Sequence, residues 1–377
     1  MILFISHDAS LTGAPRSLLL IIEYLKLKYD EDFEIILGKT GPLESEFRSY
    51  GKVHIYQKEW FFEKNLFKRI RNRLFYSNHL RQKRIKKYFT KKKPKLIFNN
   101  TIVNGEILQN LSSLKVKTIS RVPEMETVMK MYDSIFNNST QKVLSNSHFF
   151  ISPSKSAKQD LIDKYSIEPQ KIKVCYGQIK KFKLDKDRGL HLRKELNIPR
   201  EANIIGGCGT LGWRKGSDLF LKIAQLRSKS NVYFLWLGAH KNSVGYHNFI
   251  YEAEKLKVLD KIVVVEYQLN INKYYQIMDV FLMTSREDPY PLVNLEAAAC
   301  GVPIICFKDS GGSEEFVEKG YGHVVPFGST DDMSKKIDLI LSNKNKSRIS
   351  KSKIEDIFRI NQLEKIWLIV EEFLKKN

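Results

Sequence analysis

The chain has 377 residues, 42% of them hydrophobic, and carries 63 Lys and Arg against 42 Asp and Glu, a formal net charge of +21. That length exceeds one ordinary domain, and the apolar content suffices for two sizeable cores. No run of about 18 uninterrupted apolar residues occurs, so no transmembrane helix is expected. The N-terminus begins directly on a strand-like run without a basic leader or cleavage site, so no signal peptide is expected either. The four cysteines (Cys175, Cys208, Cys300, Cys306) show no metal-ligand spacing. Cys208, Cys300 and Cys306 lie in apolar segments and read as small core residues of a reduced, cytoplasmic compartment.

Short β-branched apolar runs alternate with longer helical patterns along the chain. Residues 2–5, 33–37, 95–98 and 117–119 read as buried strands, followed by 203–208, 232–236, 262–265, 280–283 and 303–306. Helix-period stretches separate them, for example 15–28, 217–228 and 292–299. This alternation predicts parallel sheets covered by helices. A polar stretch rich in Lys and Asp interrupts the series, so the first domain is placed at 1–178, a linker at 179–200 and the second domain at 200–355. The last segment, 356–377, has helical apolar spacing and is read as a final helix able to pack back on the first domain. The expected class is α/β, with two Rossmann-like, doubly wound parallel-sheet domains facing a cleft. In such sheets ligands bind beyond the carboxyl ends of the strands, so informative residues should directly follow strands.

After the first strand comes Ser6-His7-Asp8-Ala9-Ser10-Leu11-Thr12-Gly13-Ala14-Pro15. Gly13 and Ala14 would let a ligand approach the backbone and the N-terminus of the following helix. The same loop also reads as an ordinary strand-to-helix connection with Thr12 as its N-cap. His7 and Asp8 fit either ligand contacts or structural hydrogen bonds.

The strand at 203–208 runs into Gly209-Thr210-Leu211-Gly212-Trp213-Arg214-Lys215-Gly216 just ahead of a helix. Arg can grip two phosphate oxygens and Lys adds a point charge, while a helix N-terminus favours anions; together these suit a diphosphate. The glycines match neither a Walker loop nor a dinucleotide fingerprint. The strand at 280–283 leads to Asp288, and seven residues separate Asp288 from Glu296. A helix is expected from Pro291 to Cys300, capped by Gly301, with Glu296 more than one turn inside it. A carboxylate there can accept two hydrogen bonds from vicinal ribose hydroxyls, and the free N–H groups near Leu292 and Val293 fit a diphosphate.

On these residues the chain resembles a retaining glycosyltransferase of family four, with the GT-B architecture. The resemblance covers the acid pair, the following Ala-Ala-Ala-Cys-Gly-Val-Pro, the Gly-Ala-Pro loop, Arg214-Lys215-Gly216, and Ser310-Gly311-Gly312-Ser313-Glu314-Glu315. It implies that Glu296 holds the nucleotide ribose, that Asp288 contacts the donor sugar, and that Arg214 and Lys215 neutralise the leaving diphosphate. It implies a nucleotide-diphosphate sugar as co-substrate, with no separate cofactor and no metal. Base contacts are expected near Gly238 and Tyr267–Gln268. Four positions depart from the family pattern: Asp288 replaces Glu, Pro291 replaces a glycine, Thr210 stands where many members have Arg, and Pro123 stands where relatives have His before Glu124. An Asp-x-Asp sequence at 185–187 lies in the polar stretch and reads as a solvated loop.

Residues 64–95 contain 14 Lys and Arg and no acidic residue. Leu66, Ile70 and Leu74 share a helical face, with Phe67 and Phe75 near it, which is the pattern of a helix on an anionic membrane surface. The expected partners are thus a nucleotide-sugar donor, a glycan or lipid-linked acceptor, and the inner face of a membrane on which the protein is peripheral. Two alternatives stay open at this level: a basic nucleic-acid-binding protein, although no recognised nucleic-acid module is present, and a GT-B sugar-nucleotide epimerase.

Overall fold

The structure is a computed structural model, and it describes residues 1–30, 32–57, 78–184, 189–268, 270–359 and 361–375. The chain divides into two compact units, one made of Met1–Tyr176 with Gln362–Asn377 and the other of Gly177–Asn361.

The first unit is built on a parallel sheet of seven strands: β1 (Ile2–Ser6), β2 (Phe33–Leu37), β3 (Lys52–Ile55), β4 (Leu96–Asn100), β5 (Thr118–Arg121), β6 (Phe149–Ser152) and β7 (Ile172–Val174). Their spatial order is β3-β2-β1-β4-β5-β6-β7. β1, β2 and β4 are buried throughout, because helices cover both faces of the sheet. Ile2 and Phe4 pack with Leu18, Ile22, Phe47, Ile366 and Val370 on one side. Leu3 and Ile5 pack with Ile85, Phe89, Leu108, Met129 and Leu144 on the other.

The second unit has six parallel strands: β8 (Asn203–Cys208), β9 (Val232–Ala239), β10 (Ile262–Glu266), β11 (Val280–Met283), β12 (Ile304–Phe307) and β13 (Gly322–Val325). Their order is β10-β9-β8-β11-β12-β13. Ile204 and Leu235 point into a core with Tyr275, Leu295 and Phe316, while Ile205, Phe234 and Trp236 face Phe220, Phe249 and Ile337. Both units are therefore Rossmann-like, doubly wound parallel sheets.

Two expectations are corrected. The stretch 179–200 is no free linker: it belongs to the second unit, where the helix Leu190–Glu195 forms and Ile179, Leu192 and Ile198 are buried in the core. The segment 356–377 is not one helix. Lys351–Arg359 buries Ile357 in the second unit, whereas Gln362–Lys375 buries Leu363, Ile366, Ile369 and Val370 in the first, packing on the helix Gly13–Lys28. Leu368 points away from the face that carries Leu363, Ile366 and Val370 and is 54% exposed. The basic segment 64–95 is only partly described. Residues 64–77 lie outside the described residues, and with them Leu66, Phe67, Ile70, Leu74 and Phe75. The remainder forms the helix Asn78–Lys92, which buries Ile85 and Phe89 and leaves Lys83, Arg84, Lys87, Lys91 and Lys92 exposed. Residues 185–187 also lie outside the described residues.

Among the described residues, no helix is long and apolar enough to cross a membrane. All four cysteines are free; burial pushes the Cys175 thiol up to about 11 and the Cys300 thiol up to about 12, so neither is primed as a thiolate.

Candidate functional site

In the second sheet the strand order reverses between β8 and β11. Loops leaving two such strands diverge to opposite faces and open a crevice at the carboxyl edge. Here the loop after β8 carries Trp213, Arg214 and Lys215 in a single 3-10 turn, and the loop after β11 carries residues 284–288. The two loops are laced together almost residue by residue. The Thr284 hydroxyl donates to the Lys215 carbonyl at 3.0 Å. The Arg286 N–H donates to the Arg214 carbonyl at 2.9 Å, and its guanidinium donates to the Trp213 carbonyl at 2.6 Å. The Arg214 guanidinium donates to the Glu287 carbonyl at 2.9 Å. The Lys215 ammonium pairs with the Asp288 carboxylate, and Arg214 Nη1 lies 4.0 Å from the same oxygen.

Gly216 is what lets the loops meet. Its φ is +64°, and a Cβ there would lie 1.9 Å from the Thr284 carbonyl oxygen. It also ends the 3-10 turn and starts the helix Ser217–Leu226. The cations are thus delivered ahead of a helix N-terminus, as the spacing predicted. Lys215 and Asp288, expected toward the diphosphate and sugar ends respectively, turn out to be direct partners.

Asp288 is fixed from a second side. Its N–H donates to the Ser310 carbonyl at 2.8 Å, and its carbonyl accepts from the Gly312 N–H at 3.0 Å, a one-rung parallel bridge to Gly311. Gly311 has φ +112°, a backbone conformation that only glycine adopts readily. The Gly-Gly turn therefore serves to hold the acid.

The helix following Asp288 runs Leu292–Ala299, with Pro291 at its N-cap, one residue later than expected, and Gly301 at φ +77° just past its end. Leu292 and Val293 occupy its first turn, where backbone N–H groups have no intrahelical partner. Asn294 is fully buried and donates to the Ser313 hydroxyl at 3.1 Å, tying this helix to the Gly-Gly turn. Glu296 is 5% exposed and accepts a hydrogen bond from the Tyr275 hydroxyl at 3.1 Å. Burial, with Cys208 and Glu296 nearby, raises the Tyr275 phenol well above its usual value, so it stays a donor. Arg286 and Tyr275 were not singled out from sequence. Nothing in their spacing marks them, since their role depends on which loops the sheet order juxtaposes. Around the expected base site, Gly238 has φ +90° and the His240 and Tyr267 rings stack 6.1 Å apart.

In the first unit the order reverses between β1 and β4. Gly13 and Ala14 open the helix Gly13–Lys28, and Asn100 at the end of β4 donates to the Ala14 carbonyl at 3.1 Å. Thr12 occupies the N-cap position without a side-chain cap bond; its hydroxyl pairs with Ser10 instead. Asp8 accepts from the Ser10 N–H and hydroxyl at 3.0 and 2.9 Å and lies 3.4 Å from His7 Nε2. Burial lowers the His7 imidazole below its usual value, so it is neutral near pH 7.

Behind this loop lies a buried polar group. Arg121 donates to the Asn100 side chain at 3.1 Å, and Glu124 accepts from the Ile102 N–H at 3.4 Å. Thr101 between them has φ +91°, a strain on the order of 1–3 kcal/mol for a non-glycine residue. Burial lifts the Glu124 carboxyl to about 7 against the pull of the Ile102 N–H, Thr101 and Arg121, and lowers Arg121 to about 10.

Comparison with known proteins places the second unit. Residues 190–355 match the family model described as Glycosyl transferases group 1. This stretch is a group 1 glycosyl transferase domain. It contains Arg214, Lys215, Asp288 and Glu296, the residues of the laced loops and the helix beyond them. The chain is 28% identical over 132 residues to the O-antigen biosynthesis glycosyltransferase WclY of Escherichia coli, covering 35% of this chain and 36% of that one. It is 28% identical over 154 residues to the lipopolysaccharide core biosynthesis mannosyltransferase LpsB of Rhizobium meliloti (strain 1021), covering 39% and 42%. The alignments thus span about two fifths or less of these relatives. Whole-chain similarity exists at the level of fold. Anabaena Alr3699/HepE, solved with UDP and glucose, superposes with a TM-score of 0.79 at 17% identity over 100% of this chain and 99% of that one. WaaG, a glycosyltransferase involved in lipopolysaccharide biosynthesis, superposes with a TM-score of 0.72 at 13% identity over 98% and 99%. The fold is GT-B.

The Glu124 carboxyl sets a pH dependence for the first unit. Its value is raised on folding, so the folded unit holds a proton that the unfolded chain releases, and stability falls as pH rises from about 4.5 to about 7. The span corresponds to about 3 kcal/mol. Glu124→Gln should flatten this fall and leave the variant more stable than wild type at pH 8, as read by urea unfolding across that range. An unchanged slope would show that Glu124 does not carry it.

Proposed function

We propose that this chain is a retaining glycosyltransferase that moves a sugar from a nucleotide-diphosphate sugar to a glycan or lipid-linked acceptor, in assembly of a cell-surface polysaccharide such as capsule, lipopolysaccharide or O-antigen. The observation that carries this reading is the pairing of Arg214 and Lys215 with residues 287–288 across the switch point of a group 1 glycosyl transferase domain. The named activities of WclY and LpsB favour surface polysaccharide as the product class. The UDP bound to Alr3699/HepE favours a nucleoside diphosphate as the leaving group.

In this reading Glu296, oriented by Tyr275, accepts the ribose hydroxyls. Arg214, Lys215 and the N–H groups of Leu292 and Val293 face the diphosphate, and Asp288 faces the sugar while holding Lys215. In the first unit, Gly13 and Ala14 leave the N-terminus of the helix Gly13–Lys28 open to a ligand. The bond from the anomeric carbon to the diphosphate oxygen breaks through an oxocarbenium-like transition state. Negative charge grows on the departing oxygen, where preset cations stabilise it without reorganisation. The acceptor oxygen attacks from the face the diphosphate leaves, and its proton passes to a phosphate oxygen, so configuration is retained. Two side-chain cations supply the charge neutralisation, and the mechanism is metal-independent.

The place of work in this reading is the cytoplasmic face of a membrane. The exposed Lys83, Arg84, Lys87, Lys91 and Lys92 lie on the helix Asn78–Lys92, and each basic residue near an anionic surface contributes about 1 kcal/mol.

Thermal stabilisation by UDP, GDP and ADP identifies the base, since a ligand at about 100 times its Kd adds about 2.7 kcal/mol. With the matching sugar donor, Lys215→Ala should lower acceptor-dependent transfer about 100-fold or more in a chain that stays folded; near-normal turnover would contradict the assignment. For the membrane, the protein should float with anionic vesicles at low salt and be released at high salt. Failure to float with anionic vesicles would remove that part of the proposal.

A further inference from the structure

Arg286 makes more contacts to the basic loop than any single charge pair requires. Its backbone N–H holds the Arg214 carbonyl at 2.9 Å, and one arm of its guanidinium holds the Trp213 carbonyl at 2.6 Å. The same guanidinium forks onto Asp218 in the first turn of the next helix, at 2.8 and 2.6 Å. It also lies over the Trp213 ring, 5.1 Å from its centroid, although that indole is 62% exposed. Arg286 therefore grips the 3-10 turn at its start and the helix just after its end. Burial works against the charge on Asp218, but the fork holds its carboxyl below the usual range, so the grip persists across ordinary pH.

The turn needs such a grip. Gly209, Gly212 and Gly216 fall within eight residues, and a side chain added to Gly212 would meet open space. Glycine-rich backbone loses the most conformational freedom on ordering, so this loop rests in one geometry only if something outside it supplies contacts. A bidentate carboxylate fork with an aromatic ring beneath it fixes the guanidinium itself, which a lysine ammonium cannot do.

Resting on the donor-site reading above, we propose that Arg286 is a positioning residue for the diphosphate site: by clamping Trp213, Arg214 and Asp218 it presets the directions in which Arg214 and Lys215 present their charges. It does not itself touch the phosphate. Its contribution therefore passes through Lys215 and Arg214, and removing it should cost nothing more once that route is broken.

The test is calorimetric titration of UDP and GDP into the full chain, with melting temperatures measured in parallel. Arg286→Gln and Arg286→Lys should each weaken nucleoside diphosphate binding about tenfold or more. The lysine variant keeps the charge, so its loss separates positioning from long-range attraction. Combining Arg286→Gln with Lys215→Ala should lose less than the sum of the two single losses, because the Lys215 part of the route is already broken, whereas a purely structural defect would add in full. If the glutamine variant fails to fold, Asp218→Asn breaks the fork with Arg286 in place and should show the same loss. Wild-type affinity in Arg286→Lys, or additive losses in the double variant, would overturn the inference while leaving the donor site standing. A wild-type chain that binds neither nucleotide would overturn the donor-site reading and this inference with it.

Discussion

The structure of the candidate site depends on one contact zone, the lacing of residues 213–216 to residues 284–288 where the second sheet reverses its order. A parallel sheet alone would leave two loops diverging from β8 and β11. The approach of Gly216 to the Thr284 carbonyl removes the steric barrier between them, and backbone carbonyls then accept from side chains of the opposite loop. The consequence is electrostatic. Two cations that would repel one another in a free loop are held side by side, with one carboxylate, Asp288, between them and one carbonyl, that of Glu287, under Arg214. Such a fixed positive edge beside a helix N-terminus has the character needed for a dianionic leaving group.

Around this zone the second unit adds layers that each fix one functional group. The Gly311 bridge fixes Asp288, Asn294 ties the helix Leu292–Ala299 to the turn at Ser313, and Tyr275 orients Glu296. The first unit repeats the architecture with different chemistry. Its switch point carries a neutral imidazole, side-chain amides and a buried Arg121 and Glu124, not an exposed cation pair. A crevice edge of that kind suits neutral hydroxyl groups, whereas the second unit's suits phosphate.

Much of the fold was legible because buried parallel strands read as unbroken apolar runs. The strands at Phe33–Leu37, Asn203–Cys208 and Val280–Met283 have the bounds that their sequences predict, and the helix Leu292–Ala299 differs by one residue at each end. The strands Lys52–Ile55, Phe149–Ser152, Ile172–Val174 and Gly322–Val325 were not recognised. They are only three or four residues long, and all four lie at or next to a sheet edge, where polar residues such as Lys52, His54 and Lys173 interrupt the pattern. The polar stretch before β8 misled for the opposite reason: its few apolar residues are spaced to cover a core that only the folded unit supplies. At the site, Arg214, Lys215, Asp288 and Glu296 carried a signal because charged residues directly follow apolar strands or sit in an otherwise apolar helix. Arg286 and Tyr275 carried none, since their partners lie 21 to 73 residues away in sequence.

The central claim is that the laced loops form a nucleoside-diphosphate site. A crystal structure of the full chain with a bound nucleoside diphosphate tests it most directly. The expected result places the terminal phosphate within hydrogen-bonding distance of Lys215 Nζ and the Arg214 guanidinium, with the ribose hydroxyls on Glu296. A nucleotide seated away from both cations, with the contacts between residues 213–216 and 284–288 intact, would contradict it.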